Sequence, residues 1–304
     1  MRGQRWRRLE EERIAKKNKS EATAISTPKF IPIESPSKQI LDFKIYIKDC
    51  QSSIGNTLKI TAYTSIAPSH ENSNNQLMAV ESWNKLGIEI YSINTSEEIK
   101  ILKDKYPSYI KFIPCIKTTK HIFGKSCVLI NEMIDHFYKN QTGDILMLIN
   151  SDIILNTSIE LLDKIKTLSK LSIPISHRND YANEFSDGQK YRHGFDVFFI
   201  NKRYINIFPH SMYSMGQTWW DYWVPYIAMK NKVPVVLIGD SFAFHKEHPI
   251  QYNKDNWVKM TEYFQWENNI QGADSQEITD RIKNEIIKKS LSFSLCQKAK
   301  TIPQ

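Results

Sequence analysis

Apolar and polar positions alternate along this chain in two rhythms, and the switches between them mark out its elements. Residues 58–68 are rich in β-branched and aromatic side chains and stop at Pro68, as a strand does. From residue 74 to 87 the apolar positions Leu77, Val80, Trp83 and Leu86 fall at helical spacing, and Gly87 closes the run. Residues 88–94 then read as a strand. Residues 96–107 read as a helix, with Ser96 as N-cap and acids in its first turn. Residues 109–115 are the next strand and 125–141 the next helix. The stretch DILMLINSDIIL (144–155) opens with an unbroken apolar run, the pattern of a strand covered on both faces.

This succession predicts an α/β fold, with an open, mostly parallel twisted sheet flanked by helices. Ligands of such sheets bind beyond the carboxyl ends of the strands. The polar residues just past each strand are therefore the first candidates: Thr64 and Ser65, Asn94, and Asn150 to Asp152. Thr64, Ser65 and Asn94 are placed to hold a base and ribose.

After residue 172 the pattern changes. His177-Arg178-Asn179-Asp180 follows a strand at the mouth of the sheet. Arg178 is a candidate phosphate clamp, because its planar fork suits that anion. Asp187-Gly188 gives a hairpin-like signal before 191–200, expected as a strand whose Tyr191, Gly194 and Asp196 face the site. An aromatic-rich helix is expected over 215–231, a buried strand over 233–239 and an amphipathic helix over 274–290. Residues 1–44 read as a charged tail and Pro-punctuated linker, 45–270 as the main domain, and 271–304 as a C-terminal helix and tail.

Charge changes this picture only at one end. The net charge is +8, but residues 1–20 hold eight of the 41 Lys/Arg and three of the 33 acids, so the rest carries only about +3. The folded part is not a strongly basic body, and no nucleic-acid partner is expected. The basic tail is a candidate for peripheral contact with an anionic membrane. The cysteines, at positions 50, 115, 127 and 296, are scattered without a C-x-x-C pair, which argues against a zinc knuckle or a disulfide framework. No segment approaches a membrane span, and the N-terminus lacks the apolar core of a signal peptide. A cytoplasmic protein, with its tail a candidate for contact with the inner membrane face, is the expectation.

The stretch 124–153 carries the most specific pattern. Gly124-Lys125 opens a helix bearing Asn131, Gly143-Asp144 starts a strand, and Asn150-Ser151-Asp152 ends it. This resembles the donor half of family 2 and related GT-A glycosyltransferases, in which a D-x-D-like motif ends that strand. Asn150 stands where the family usually has its first Asp, while the last one, Asp152, is retained. The resemblance covers roughly 58–250. It implies a GT-A fold, a nucleotide-sugar donor and a divalent metal, Mn²⁺ or Mg²⁺, held by Asp152 and by a late histidine, His245 or His248. A cation there offsets charge on the diphosphate leaving group. Lys125 or Arg178 would offset the remainder, with Asn131, Asn150 and Ser151 nearby on the donor side.

The resemblance also implies a catalytic carboxylate at the start of a helix beneath the acceptor. Asp221, after Trp219-Trp220, fits that place as an xED-like motif, with Trp220 on the acceptor side. An acceptor hydroxyl must lose its proton as it attacks, and a carboxylate can take it. The implied reaction moves a sugar from a nucleoside-diphosphate sugar to a hydroxyl of a glycan, a lipid-linked or a small-molecule acceptor. Four other readings were weighed. Gly124-Lys125-Ser126 imitates a P-loop, but Thr119 occupies the position of its first glycine. Gly239-Asp240-Ser241 imitates the nucleophile block of a GDS-type esterase, but it comes late and no D-x-x-H closes it. Nucleotidyltransferases share the expected sheet, but their N-terminal Gly-rich loop is missing. A catalytically degenerate sugar- or partner-binding module remains the main alternative.

Overall fold

A computed structural model describes residues 57–68, 73–115, 117–191, 193–239, 241–248, 253–272 and 274–293. The expected N-terminal tail and its membrane contact lie outside them, as do Cys50, Asp240 and Cys296. Twelve strands and eight α-helices are described. The strands are β1 (Ile60–Thr64), β2 (Glu89–Asn94), β3 (Ile110–Pro114), β4 (Ile145–Ile149), β5 (Ile153–Leu155), β6 (Ile173–Ser176), β7 (Asn179–Tyr181), β8 (Gln189–Lys190), β9 (Val197–Asn201), β10 (Val235–Ile238), β11 (Ala243–Lys246) and β12 (Leu291–Phe293). The helices are α1 (Ser73–Lys85), α2 (Ser96–Leu102), α3 (Lys120–Phe123), α4 (Ile130–Asn140), α5 (Ile159–Leu168), α6 (Trp220–Lys230), α7 (Lys254–Asn268) and α8 (Ser275–Lys289).

The main sheet has eight strands in the order β12-β10-β6-β9-β4-β1-β2-β3. All neighbours pair in parallel except β9, which runs against both β4 and β6. The expected α/β fold with a largely parallel sheet is therefore observed. Side chains alternate between two cores, as the period of two requires. Leu146 and Leu148 of β4 join one core with α4, α6, α7 and α8, while Ile145, Met147 and Ile149 join the other with α1 and α5. Both faces are covered, so β4 can be continuously apolar and fully buried. The chain builds β1, β2 and β3 in one direction and then places β4 on the other side of β1. The carboxyl ends of β1 and β4 thus flank a topological switch point, where such sheets open a crevice.

A second sheet, β5-β11-β7-β8, sits at that edge. The strand expected to end at Asn150–Asp152 does so as β4, and the chain continues as a second strand. It turns at Asn150–Asp152 and leaves the main sheet to pair, as β5, with β11. Helix α1 braces this departure: Trp83 Nε1 donates to the Ile153 carbonyl at 2.8 Å, and Ser82 Oγ accepts from Leu155 N at 3.0 Å.

Other boundaries also differ from expectation. The N-cap of α2 is Thr95, whose side chain and Glu98 form a capping box, so Ser96 is the first helical residue. Helix α4 starts at Ile130, because Gly124 (φ 72°) closes the short α3 and residues 125–129 run extended, bridging Val128 to Thr118 and Leu129 to Ser214. Helix α6 starts at Trp220, where the left-handed Trp219 (φ 78°) turns the chain sharply. Tyr191, Gly194 and Asp196 precede β9 rather than lying within it, and the turn at Asp187-Gly188 joins β7 to β8. Among the described residues, no helix is long and apolar enough to cross a membrane.

Candidate functional site

The small sheet sets the geometry of the site. Asp152 is the last residue before β5. Opposite Ile153, the first residue of β5, stands His245 of β11; opposite His245 on its other side stands Asp180 of β7. This register brings together three side chains far apart in sequence. His245 Nε2 lies 3.5 Å from Asp152 Oδ2 and 3.1 Å from His248 Nε2, and His248 Nε2 lies 3.6 Å from the same carboxylate oxygen. One ligand atom from each of Asp152, His245 and His248 falls within 4.8 Å of the others. One carboxylate and two imidazoles converging at that range form a donor set suited to a divalent cation.

The electrostatics follow from this crowding. Burial alone would raise Asp152, but hydrogen bonds from His245 and His248 and the charge of Arg178 hold it well below the usual carboxylate range. Burial alone would lower His245, but Asp152 and Asp180 overcome it and push the imidazole up to about 9. The pocket therefore favours positive charge between Asp152 and Asp180, whether proton or metal. A cation entering must displace that proton.

Beyond the histidines runs a chain of charged groups. Asp180 Oδ1 accepts from His245 Nδ1 at 2.9 Å and from Arg178 Nε at 2.7 Å. Arg178 Nη1 donates to Asp196 Oδ1 at 3.2 Å, and its guanidinium stacks over the Tyr191 ring at 4.1 Å. Asn150, opposite Asp196 across the β4–β9 pair, donates to the same Oδ1 at 2.8 Å. Asp196 is buried, and its Oδ2 has no hydrogen-bond partner. The position usually acidic in a D-x-D motif is thus an amide that serves a neighbouring carboxylate. Arg178, expected as a phosphate clamp, already has its fork shared between two aspartates.

Asp221 sits in the first turn of α6. Burial, then the charge of Asp196, push its carboxyl up to about 7, against backbone N–H groups that favour the ionised form. Gly194 (φ 153°) lies directly against it: a Cβ there would collide with Asp221 Oδ2. His177 Nδ1 holds the Gly194 carbonyl at 2.7 Å and its ring stacks on Phe195, which fixes this loop.

The remaining expected residues divide by what already engages them. Ser151 Oγ donates to Gln76 Oε1 at 2.7 Å, at the rim beside Asp152. The Thr64 hydroxyl is buried at the end of β1 without a partner. Ser65 is partly exposed beside it. The Asn94 amide is taken up by Ser92, the Ile66 carbonyl and Glu98. Asn131 ties α4 to the Pro209 carbonyl and to Ser211. Lys125 is exposed, five residues before α4. Trp220 is a core residue packed edge-on against Phe198. The sequence carries no signal for Gln76, and it marks His177 and Asp180 only as members of the polar run that follows β6.

No family model matches the chain, and no curated protein matches it. Its fold is similar to those of several solved structures at low identity. A mannosyltransferase from Pyrobaculum calidifontis, in complex with GDP-mannose and Mn²⁺, is 8% identical, with 82% of this chain and 76% of that chain covered and a TM-score of 0.42. HddC from Yersinia pseudotuberculosis, complexed with GMP-PN, is 12% identical over 65% and 91% of the two chains, with a TM-score of 0.34. The 4-diphosphocytidyl-2C-methyl-D-erythritol synthase of Anaerococcus prevotii is 9% identical over 76% and 100%, with a TM-score of 0.38.

The site's own chemistry is narrower than the fold. It comprises a candidate cation site at Asp152, His245 and His248, and a buried carboxyl, Asp221, pushed up to about 7. The two are joined through Asp180, Arg178 and Asp196.

Proposed function

We propose that this protein is a metal-dependent glycosyltransferase that takes a sugar from a nucleoside-diphosphate donor. The observation that carries the reading is the convergence of Asp152, His245 and His248 at the carboxyl end of β4, beside the switch point of the sheet. Asp152, His245 and His248 would hold the cation. Two imidazoles with one carboxylate suit Mn²⁺ better than Mg²⁺, which prefers oxygen ligands. A bound divalent ion supplies charge neutralisation for the departing diphosphate. Thr64 and Ser65, at the end of the adjacent β1, face the donor's nucleoside. Lys125 is the cation with charge to spare for the phosphates, since Arg178 is committed to Asp180 and Asp196.

Asp221 acts as the base. It accepts the proton of the acceptor hydroxyl while that oxygen forms its bond to the anomeric carbon. The bond from that carbon to the diphosphate oxygen breaks, and the nucleoside diphosphate leaves with the electron pair. Direct displacement of this kind inverts the anomeric centre. The unpartnered Asp196 Oδ2 is poised to accept from a sugar hydroxyl.

Thermal melting against a panel of nucleoside diphosphates and nucleotide sugars, with and without Mn²⁺, tests the reading. A ligand that binds only the folded state raises the midpoint by mass action. The expected result is a Mn²⁺-dependent rise with one nucleotide class that Asp152→Ala abolishes. A metal-dependent rise with no turnover on any acceptor would favour the degenerate binding module. No rise with any nucleotide at millimolar concentration would overturn the donor assignment.

A further inference from the structure

The proposed reaction gives Asp180 no role, yet its carboxylate is held by both His245 and Arg178. Asp180 lies on β7, in register with His245 across a parallel pair. Its Oδ1 meets His245 Nδ1 at 2.9 Å, and the same oxygen is held by Arg178 Nε at 2.7 Å. Arg178 is in turn fixed by Asp196 and by stacking on Tyr191.

The two imidazole nitrogens of His245 thus face different partners. Nδ1 faces a carboxylate, an obligate acceptor, so it must carry a proton to make that bond. Nε2 faces Asp152 and His248, and with Nδ1 protonated it is the nitrogen whose lone pair can bind a cation. Without Asp180 the ring could rotate or adopt the opposite tautomer, and the trio would lose its convergence.

We infer that Asp180 is a positioning residue for the metal site: it fixes the tautomer and orientation of His245 so that Nε2 points at the ion, with Arg178 anchoring Asp180 rather than binding phosphate. The inference rests on the metal reading above. Carboxylate partners of ligating histidines commonly account for a 10–100-fold difference in metal affinity. Asp180 is well suited to the same task, because its own position is set by a strand register and by an ion pair with Arg178 Nε.

The test is Mn²⁺ affinity of the full chain, read from the electron paramagnetic resonance signal of free Mn²⁺, for wild type and Asp180→Asn. Circular dichroism establishes that the variant is folded at the measuring temperature. The expected result is a loss of about 10–100-fold in affinity. A folded Asp180→Asn protein that binds Mn²⁺ within twofold of wild type overturns the inference. A second measurement needs no variant. Long-range ¹⁵N–¹H correlations of His245 in the Zn²⁺-loaded wild type should show Nδ1 protonated and Nε2 ligating; the opposite tautomer overturns it equally. Wild type that binds neither Mn²⁺ nor Zn²⁺ would defeat the metal reading itself, and that result is seen before any variant is made.

Discussion

At the scale of single residues, Asp221, the proposed base, shows how one environment would set both activity and stability. Its carboxyl titrates near 7 because burial and the nearby Asp196 penalise the charge. A base must be ionised, so kcat/KM should rise with pH through about 7 and level off above it. The same shift carries a stability cost of known sign. An unfolded aspartate titrates near 4, so between about 4 and 7 the folded state binds more protons than the unfolded one, and stability falls as pH rises through that window. Asp221→Asn should therefore lower turnover by about 10²–10⁴-fold while raising stability at pH 8 by about 1–2 kcal/mol, measured by denaturant unfolding. A variant with full turnover would remove Asp221 from the mechanism. Gly194 is bound to the same residue. Any side chain there meets the Asp221 carboxylate and an unfavourable φ, so Gly194→Ala should displace the base and reduce kcat about 10–100-fold, with Mn²⁺ affinity unchanged. A crystal structure of the variant with Asp221 unmoved would contradict this.

At the scale of elements, the site depends on a strand that changes sheets. Helix α1 directs β5 away from β4 through the Trp83 indole and the Ser82 hydroxyl, and so aims Asp152 at β11. Trp83→Phe keeps most of the buried surface but strands the Ile153 carbonyl. A loss of about 1–3 kcal/mol is expected, together with weaker Mn²⁺ binding by titration, because Asp152 immediately precedes the released bond. The alternation of β1, α1, β2, α2 and β3 was legible in the sequence because each element has its own period and its own stop: Gly87 for α1, Pro68 after β1. Asp152 was legible as a strand-end residue, and His245 and His248 as the late histidines that the resemblance implies. Their convergence was not, because β11 lies some ninety positions beyond Asp152 and only the register of a three-residue strand joins them. The strand end at Asn150–Asp152 was legible, but not that the chain goes on from it as a strand of a second sheet. Asn94 and Asn131 looked like donor ligands because strand-end and helix-start amides often are, yet their hydrogen bonds are spent on loops whose positions no local pattern records. Trp220 read as an acceptor platform from its neighbour Asp221, but its side chain turns into the core.

At the scale of the whole molecule, the main sheet separates two cores, and each supports a different half of the chemistry. Trp83, the β5 residues and Phe244 of β11 belong to one core and carry the metal trio at its rim. Helix α6, with Asp221 at its start, belongs to the other, packed with Tyr263 and Phe264 of α7 and with Ile278, Ile282 and Ile286 of α8. At the carboxyl edge of the sheet Arg178 links the Asp180 side to Asp196. Damage to one core should therefore reach one function before the other. Ile282 is almost fully buried, at 1% exposure, on a helix that packs beside α6. Ile282→Ala should cost about 2–5 kcal/mol through lost burial and the cavity left behind. In the fraction that remains folded, Mn²⁺ affinity should match wild type, because no atom of the trio rests on that core. Turnover should fall more than the folded fraction does, because α6 is free to shift toward the cavity and carry Asp221 with it. Trp83→Phe should show the reverse order, with affinity falling first. If both variants weakened metal binding and turnover in parallel, the cores would be acting as one body, and the division of labour across the sheet would not hold.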